Sequence, residues 1–236
     1  MEPPAIQWID RLRALADPAR LAGMARFGIR VDAALGVPLP AIRALAREAK
    51  AACRPGGDAA HEALALALWD AGLLEARFLA SMLHPPAAMS ATRMEQWAAA
   101  FNAWDICDQC CNNCFRHAPP AWDKAHAWSA RPEEFVKRAG FVLMAVLAVG
   151  DKRADDARFL DFFPAMEREC RDGRTYVKKA INWALRQIGK RSRALHGPAQ
   201  ACARRIGGVD HPAARWIARD ALRELADPKT IGRIRR

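Results

Sequence analysis

Amphipathic runs follow one another along nearly the whole chain, with apolar positions recurring at the i, i+3, i+4, i+7 spacing of helices. Short Pro and Gly clusters separate them, as at Arg54-Pro55-Gly56-Gly57, His84-Pro85-Pro86 and His117-Ala118-Pro119-Pro120, because proline stops a helix and glycine turns the chain. Alanine, leucine and arginine dominate and β-branched residues are sparse, so the pattern predicts an all-α protein without strands. Helices are expected over 6–15, 19–28, 39–52, 59–71, 75–82, 91–101, 102–115, 122–129, 133–149, 154–170, 174–189, 194–206 and 213–225.

Several of these runs echo one another. Phe135-Val136-Lys137-Arg138-Ala139 is repeated as Tyr176-Val177-Lys178-Lys179-Ala180, and Ala184-Leu185-Arg186-Gln187-Ile188 as Ala221-Leu222-Arg223-Glu224-Leu225. The offset of about 40 residues is that of paired-helix HEAT or armadillo repeats, in which each pair buries its apolar face on the next. The expected architecture is therefore an α-solenoid of stacked HEAT-like helix pairs, curved, with equivalent helices lining one basic concave groove. Arg138, Lys179 and either Arg215 or Trp216 occupy near-equivalent positions and are expected to face that groove. One domain is expected over 1–227, followed by an arginine-rich tail over 228–236 that lacks apolar periodicity and is expected to fray.

Charge narrows the partner. A formal net charge of +11 and a pI near 9.8 favour a polyanion, with positive residues recurring through the whole length. Nucleic acid leads, and an acidic membrane surface is the rival. The longest apolar run, Phe141 to Val149, is far shorter than the roughly 20 residues that span a bilayer. Seven cysteines, an odd number, point to a reducing compartment, so a soluble cytoplasmic protein is expected, and it is taken as a monomer.

The densest chemistry lies in Asn102 to Phe115, NAWDICDQCCNNCF. At helical spacing Trp104 and Asp108 are i and i+4, which sets an indole beside a carboxylate on one face. Cys107, Cys110, Cys111 and Cys114 fall at i, i+3, i+4 and i+7 on another. Four thiols within about two turns of one helix do not readily converge on a tetrahedral zinc ion, so a buried stripe of small residues is expected and no metal or cofactor. On the residues alone, Asp105 and Asp108 compete as the reactive carboxylate. Arg186 and Lys190 share a helix face with Lys179 and Trp183, which suits a row of phosphate contacts. No Gly-rich phosphate loop, HExxH or Ser-His-Asp order is present, which leaves nucleotide hydrolysis, acyl transfer and metalloprotease chemistry without a foothold.

Trp104-Asp105-x-x-Asp108, then Lys137-Arg138-Ala139, then Tyr176-Val177-Lys178-Lys179-Ala180-Ile181-Asn182-Trp183 resemble, in order and spacing, the AlkD family of DNA alkylation-repair glycosylases. The resemblance covers nearly the whole chain. It implies a curved stack of HEAT-like repeats that excises positively charged N3- and N7-alkylated purines, 3-methyladenine and 7-methylguanine, from duplex DNA without flipping the base into a pocket. It also implies roles: Asp108 as the essential carboxylate, Trp104 and Trp183 against the deoxyribose and the cationic base, and Arg138 on the phosphate beside the lesion. Phe27 falls where the family often has a tyrosine facing the lesion. Two rivals remain at this level: a non-catalytic relative that binds damaged or branched DNA, and a protein-binding HEAT scaffold, whose weak DNA binding would respond little to salt.

Overall fold

The structure is a computed structural model and describes residues 5–234. The chain folds as two compact units, Met1–Pro119 and Pro120–Arg236. In chain order the first holds α1 (Ala5–Ala14), α2 (Leu21–Arg26), α3 (Leu39–Cys53), α4 (Gly57–Asp70), α5 (Leu74–Leu83), α6 (Ala91–Ala99) and α7 (Trp104–Asn113). The second holds α8 (Ala121–Ser129), α9 (Glu134–Gly150), α10 (Ala157–Leu160), α11 (Phe163–Glu169), α12 (Thr175–Arg191), α13 (Arg193–Gly207), α14 (Pro212–Leu225) and α15 (Pro228–Ile231). Among the described residues there is no strand.

The repeat read from the sequence is visible as side-by-side helices. In the second unit Arg138 on α9 reaches the Tyr176 carbonyl on α12, and Arg191 near the end of α12 reaches the Ala148 carbonyl near the end of α9. The two helices therefore run parallel. Asn182 on α12 donates to the Ile217 carbonyl on α14 at 3.1 Å, and Lys178 lies over the Trp216 ring at 5.5 Å, so α14 continues the stack. These partners are 38, 43 and 35 residues apart in sequence for the three hydrogen bonds, which is the repeat period expressed as contacts. Phe135 and Tyr176, which open the two echoed segments, have ring centroids 5.7 Å apart. In the first unit α5 and α7 pair the same way, Asn113 at the end of α7 donating to the Ser81 hydroxyl near the end of α5 at 3.0 Å.

Packing explains the most apolar segment. Every residue from Ala139 to Ala148 on α9 is buried, because α8 and α12 flank it and a helix enclosed on all sides must be apolar all round. The Phe141–Ala148 part of the longest apolar run is core of this kind, with Val149 at its end exposed, and no helix among the described residues is long and apolar enough to cross a membrane. Gly140 permits the close approach of α8: a Cβ there would lie 2.5 Å from the Ser129 backbone nitrogen. Aromatic clusters fill each core separately. Trp69 and Trp97 stack at 4.0 Å in the first unit, and Trp122 stacks on Phe162 at 5.3 Å in the second.

Three local expectations are refined. The run over 154–170 is broken into α10 and α11, with Pro164 in the first turn of the second. The central helix starts at Trp104 instead of Asn102. Pro228–Ile231 in the tail forms a helical turn whose cap is the Asp227 side chain, accepting from the Lys229 amide at 3.0 Å; the end of the tail, 235–236, lies outside the described residues.

Positive residues recur in both units, but the net charge does not. Met1–Pro119 carries 12 Lys and Arg against 12 Asp and Glu, whereas Pro120–Arg236 carries 25 against 14. The entire net charge of +11 thus belongs to the second unit. Basic residues do recur throughout, but in the first half each is matched by an acid.

Candidate functional site

The first unit assembles four of the residues that sequence reasoning marked, around the start of α7. Trp104 opens the helix and its Nε1 donates to the carbonyl of Phe27 at 2.9 Å, 77 residues away in sequence. Phe27 ends α2 and is 73% exposed, an unusual setting for a large apolar ring. Asp108 stands one turn beyond Trp104, both half-buried. Between them Asp105 is buried, its Oδ1 accepting from the Ile106 amide at 2.9 Å. The competition between the two carboxylates is thus one of environment, Asp105 facing inward and Asp108 partly open to solvent.

Burial pushes the Asp105 carboxyl up to about 6, the charges of Asp108 and Glu75 add to this, and the Ile106 amide offsets it only in part. Ionising Asp105 is therefore harder in the folded chain than in the unfolded chain, where its ordinary value is 3.8. Below pH 3.8 both states hold the proton and the group is neutral to stability; from there to about pH 6 its contribution turns unfavourable. At 1.36 kcal/mol per unit, the penalty above pH 6 is about 3 kcal/mol. Asp105→Asn keeps an oxygen for the Ile106 amide and removes the titration. Its melting temperature is expected to exceed the wild type at pH 7 and to match it near pH 4; equal profiles across pH 4 to 8 would remove Asp105 as the titrating group.

The Phe27 turn is held at its far end by a residue the sequence reading did not mark. Glu75, in the first turn of α5 and 1% exposed, accepts from the amides of Leu35, Gly36 and Val37 at 2.9, 2.8 and 3.3 Å. Gly36 is required there: its φ is +79°, and a Cβ would lie 2.2 Å from the Asp17 carbonyl oxygen. The only sequence signal for this anchor is an acid just inside a helix start, which is common enough to pass unremarked.

The cysteines on α7 are wholly buried, as the helical stripe requires. Burial pushes the Cys114 thiol up to about 12 and Cys110 well above its ordinary value, so both stay neutral and pack as small apolar groups.

The second unit carries the remaining marked residues. Arg138 is 6% exposed, and its Nη1 donates to the Tyr176 carbonyl at 2.7 Å, so this guanidinium braces α9 against α12. Trp183 is half-buried and Lys179 exposed on α12. Arg186 and Lys190, further along the same helix, both pair with Glu224 on α14, and Arg186 Nε lies 4.0 Å from Asp220. Burial alone would raise the Glu224 carboxyl; Lys190 and Arg186 outweigh it and hold it below its ordinary range. On α12, then, Lys179 is exposed and Trp183 half-buried, while the cations at its far end are engaged within the protein. Glu224, too, went unmarked in the sequence, where it reads as one charge of a solvated helix.

No protein of curated function matches the chain. A solved structure of a protein from a family related to the HEAT-like repeat DNA glycosylases, with affinity for branched DNA structures, superposes with a TM-score of 0.75 over 98% of this chain and 96% of that one, at 19% identity. That likeness establishes the all-helical fold of HEAT-like repeats. Residues 8–225 match the family model described as DNA alkylation repair enzyme. With the order and spacing of Trp104, Asp108 and Trp183 and a family match over most of its length, the chain belongs to the DNA alkylation repair enzyme family.

Proposed function

We propose that this protein is a DNA glycosylase that excises N3- and N7-alkylated purines, such as 3-methyladenine and 7-methylguanine, from duplex DNA in base excision repair. The observation that carries the reading is the half-buried Trp104–Asp108 pair beside the exposed Phe27 ring, in a chain of the alkylation-repair family. A purine alkylated at N3 or N7 already bears a positive charge. Its C1′–N9 bond breaks with the electron pair moving to the base, which departs neutral and needs no proton from a general acid. Positive charge then develops on the sugar, and a nearby carboxylate stabilises it and orients the water that adds at C1′ and gives up a proton. Asp108 supplies that carboxylate, and the indole of Trp104, one turn away on the same helix, supplies a π face to the cationic centre, worth about 1 to 2 kcal/mol where water is excluded. The protein needs no cofactor for this chemistry and acts as a cytoplasmic monomer. Release of methylated bases from alkylated duplex DNA tests the reading.

A second reading, non-catalytic binding of damaged or branched DNA, draws on the concentration of net charge in Pro120–Arg236, which would hold a phosphate backbone without Asp108. It predicts salt-dependent binding and no base release.

The pairing of Arg186 and Lys190 with Glu224 yields a further expectation. Glu224→Gln frees two cations on the helix that bears Lys179 and Trp183. DNA affinity is expected to rise several-fold and the salt slope to steepen. An unchanged slope would exclude both cations from the phosphate contacts.

A further inference from the structure

A cleft of about 60 Å³ lies in the first unit, its lining including Arg30, Asp32, Arg77, Asn102 and Ile106. Two of these, Asn102 and Ile106, flank Trp104 in sequence, so the cleft borders the turn of chain that carries the candidate reactive pair. Its volume admits a group the size of a phosphate. Arg77 is positioned in advance: its guanidinium lies over the Trp69 ring at 5.1 Å and its Nε is 3.5 Å from the Trp69 carbonyl. Stacking and an Nε contact fix the plane of the guanidinium while leaving the Nη pair, the edge that grips a phosphate in a bidentate fork. Arg30 makes a loose, exposed pair with Asp32 at 3.6 Å, which an incoming anion can displace at little cost.

The surroundings make these two arginines distinctive. The first unit is neutral overall, so it has no general field to draw in a polyanion, and a local pair of guanidiniums must act by contact. Arg138, the residue expected to hold the phosphate beside the lesion, is buried against the Tyr176 carbonyl. We propose that Arg77 and Arg30 form a phosphate subsite that grips one backbone phosphodiester next to the nucleotide engaged by Asp108. This rests on the DNA-processing reading above and adds to it the point at which the first unit holds the strand.

The salt dependence of duplex binding tests the subsite, using the full chain. Neutralising one phosphate contributes about 0.9 to the slope of log K against log salt concentration. Because both arginines serve one phosphate, Arg77→Gln, Arg30→Gln and the double variant are each expected to lower the slope by about 0.9, and the double variant by no more than the singles. Arg77 also packs on Trp69, so a folding defect in Arg77→Gln is identified by its melting temperature, and the exposed Arg30→Gln then carries the test alone. Unchanged slopes would overturn the subsite while leaving base release, measured separately, as it stands. Wild-type protein that fails to bind duplex DNA would overturn both the subsite and the reading beneath it. Inorganic phosphate at millimolar concentration provides the remaining arm: if it raises the melting temperature of the wild type but not of the double variant, and the DNA slopes are unchanged, the cleft takes a free anion and the backbone contact is overturned.

Discussion

Asp108→Asn is expected to slow the release of 3-methyladenine and 7-methylguanine by about 10²- to 10³-fold, the loss that follows removal of a group aimed at developing charge. Duplex affinity and melting temperature should stay close to wild type. The side chain is half-buried on α7, and asparagine matches its volume, so the change removes charge without opening a cavity. A neutral amide cannot stabilise an oxocarbenium-like sugar and is a poor acceptor for the proton of the attacking water. Asp105→Asn serves as the internal comparison: its carboxylate faces inward, so it should alter the pH dependence of stability and leave most of the activity. Base release unaffected by Asp108→Asn would sink the assignment of the carboxylate; no release by either protein, with salt-dependent binding retained, would select the non-catalytic reading.

Glu75→Ala is expected to produce the largest loss of stability in the first unit, about 4 kcal/mol, since three backbone amides, two of them buried, lose their acceptor. At 2–4 °C per kcal/mol the melting transition that reports this unit should fall by about 10 °C. Glu75→Gln retains one carbonyl oxygen and should fall roughly midway. The expected consequence reaches function, because the loop held by Glu75 leads back to Phe27, whose carbonyl receives the Trp104 indole. Loss of base release at a temperature where the variant is still folded would show that the turn must be held in place. A melting temperature within about 2 °C of wild type would show that the loop finds other acceptors.

The elements themselves were legible because each is written in the chain at its own scale. Helical spacing and Pro-Gly breaks mark most helices, and the echo of Phe135–Ala139 in Tyr176–Ala180 anticipates two helices that pack side by side. The stripe from Cys107 to Cys114 anticipates a buried face. Tertiary pairing is another matter. Arg138 and Lys179 look alike as groove cations in one repeat alignment, yet one is buried against a carbonyl of the next helix and the other is exposed; periodicity does not record which neighbour supplies a hydrogen-bond acceptor. Glu224 and Glu75 act on residues 34 to 40 positions away, a separation at which a lone acid in the sequence carries no signal. The balance of charge within the first half was masked by the excess in the second.

The seven buried thiols have a consequence for a protein of an alkylation-repair family. Cysteine reacts with electrophiles as the thiolate, and all seven side chains here are buried, with Cys53, Cys110, Cys114, Cys170 and Cys202 all raised above their ordinary value by burial. The folded chain thereby withholds its best nucleophiles from the reagents that damage DNA, and keeps them apolar packing groups for as long as it stays folded. Unfolding would surrender all seven at once to the same electrophiles, so each kilocalorie of stability also lengthens the protein's chemical lifetime.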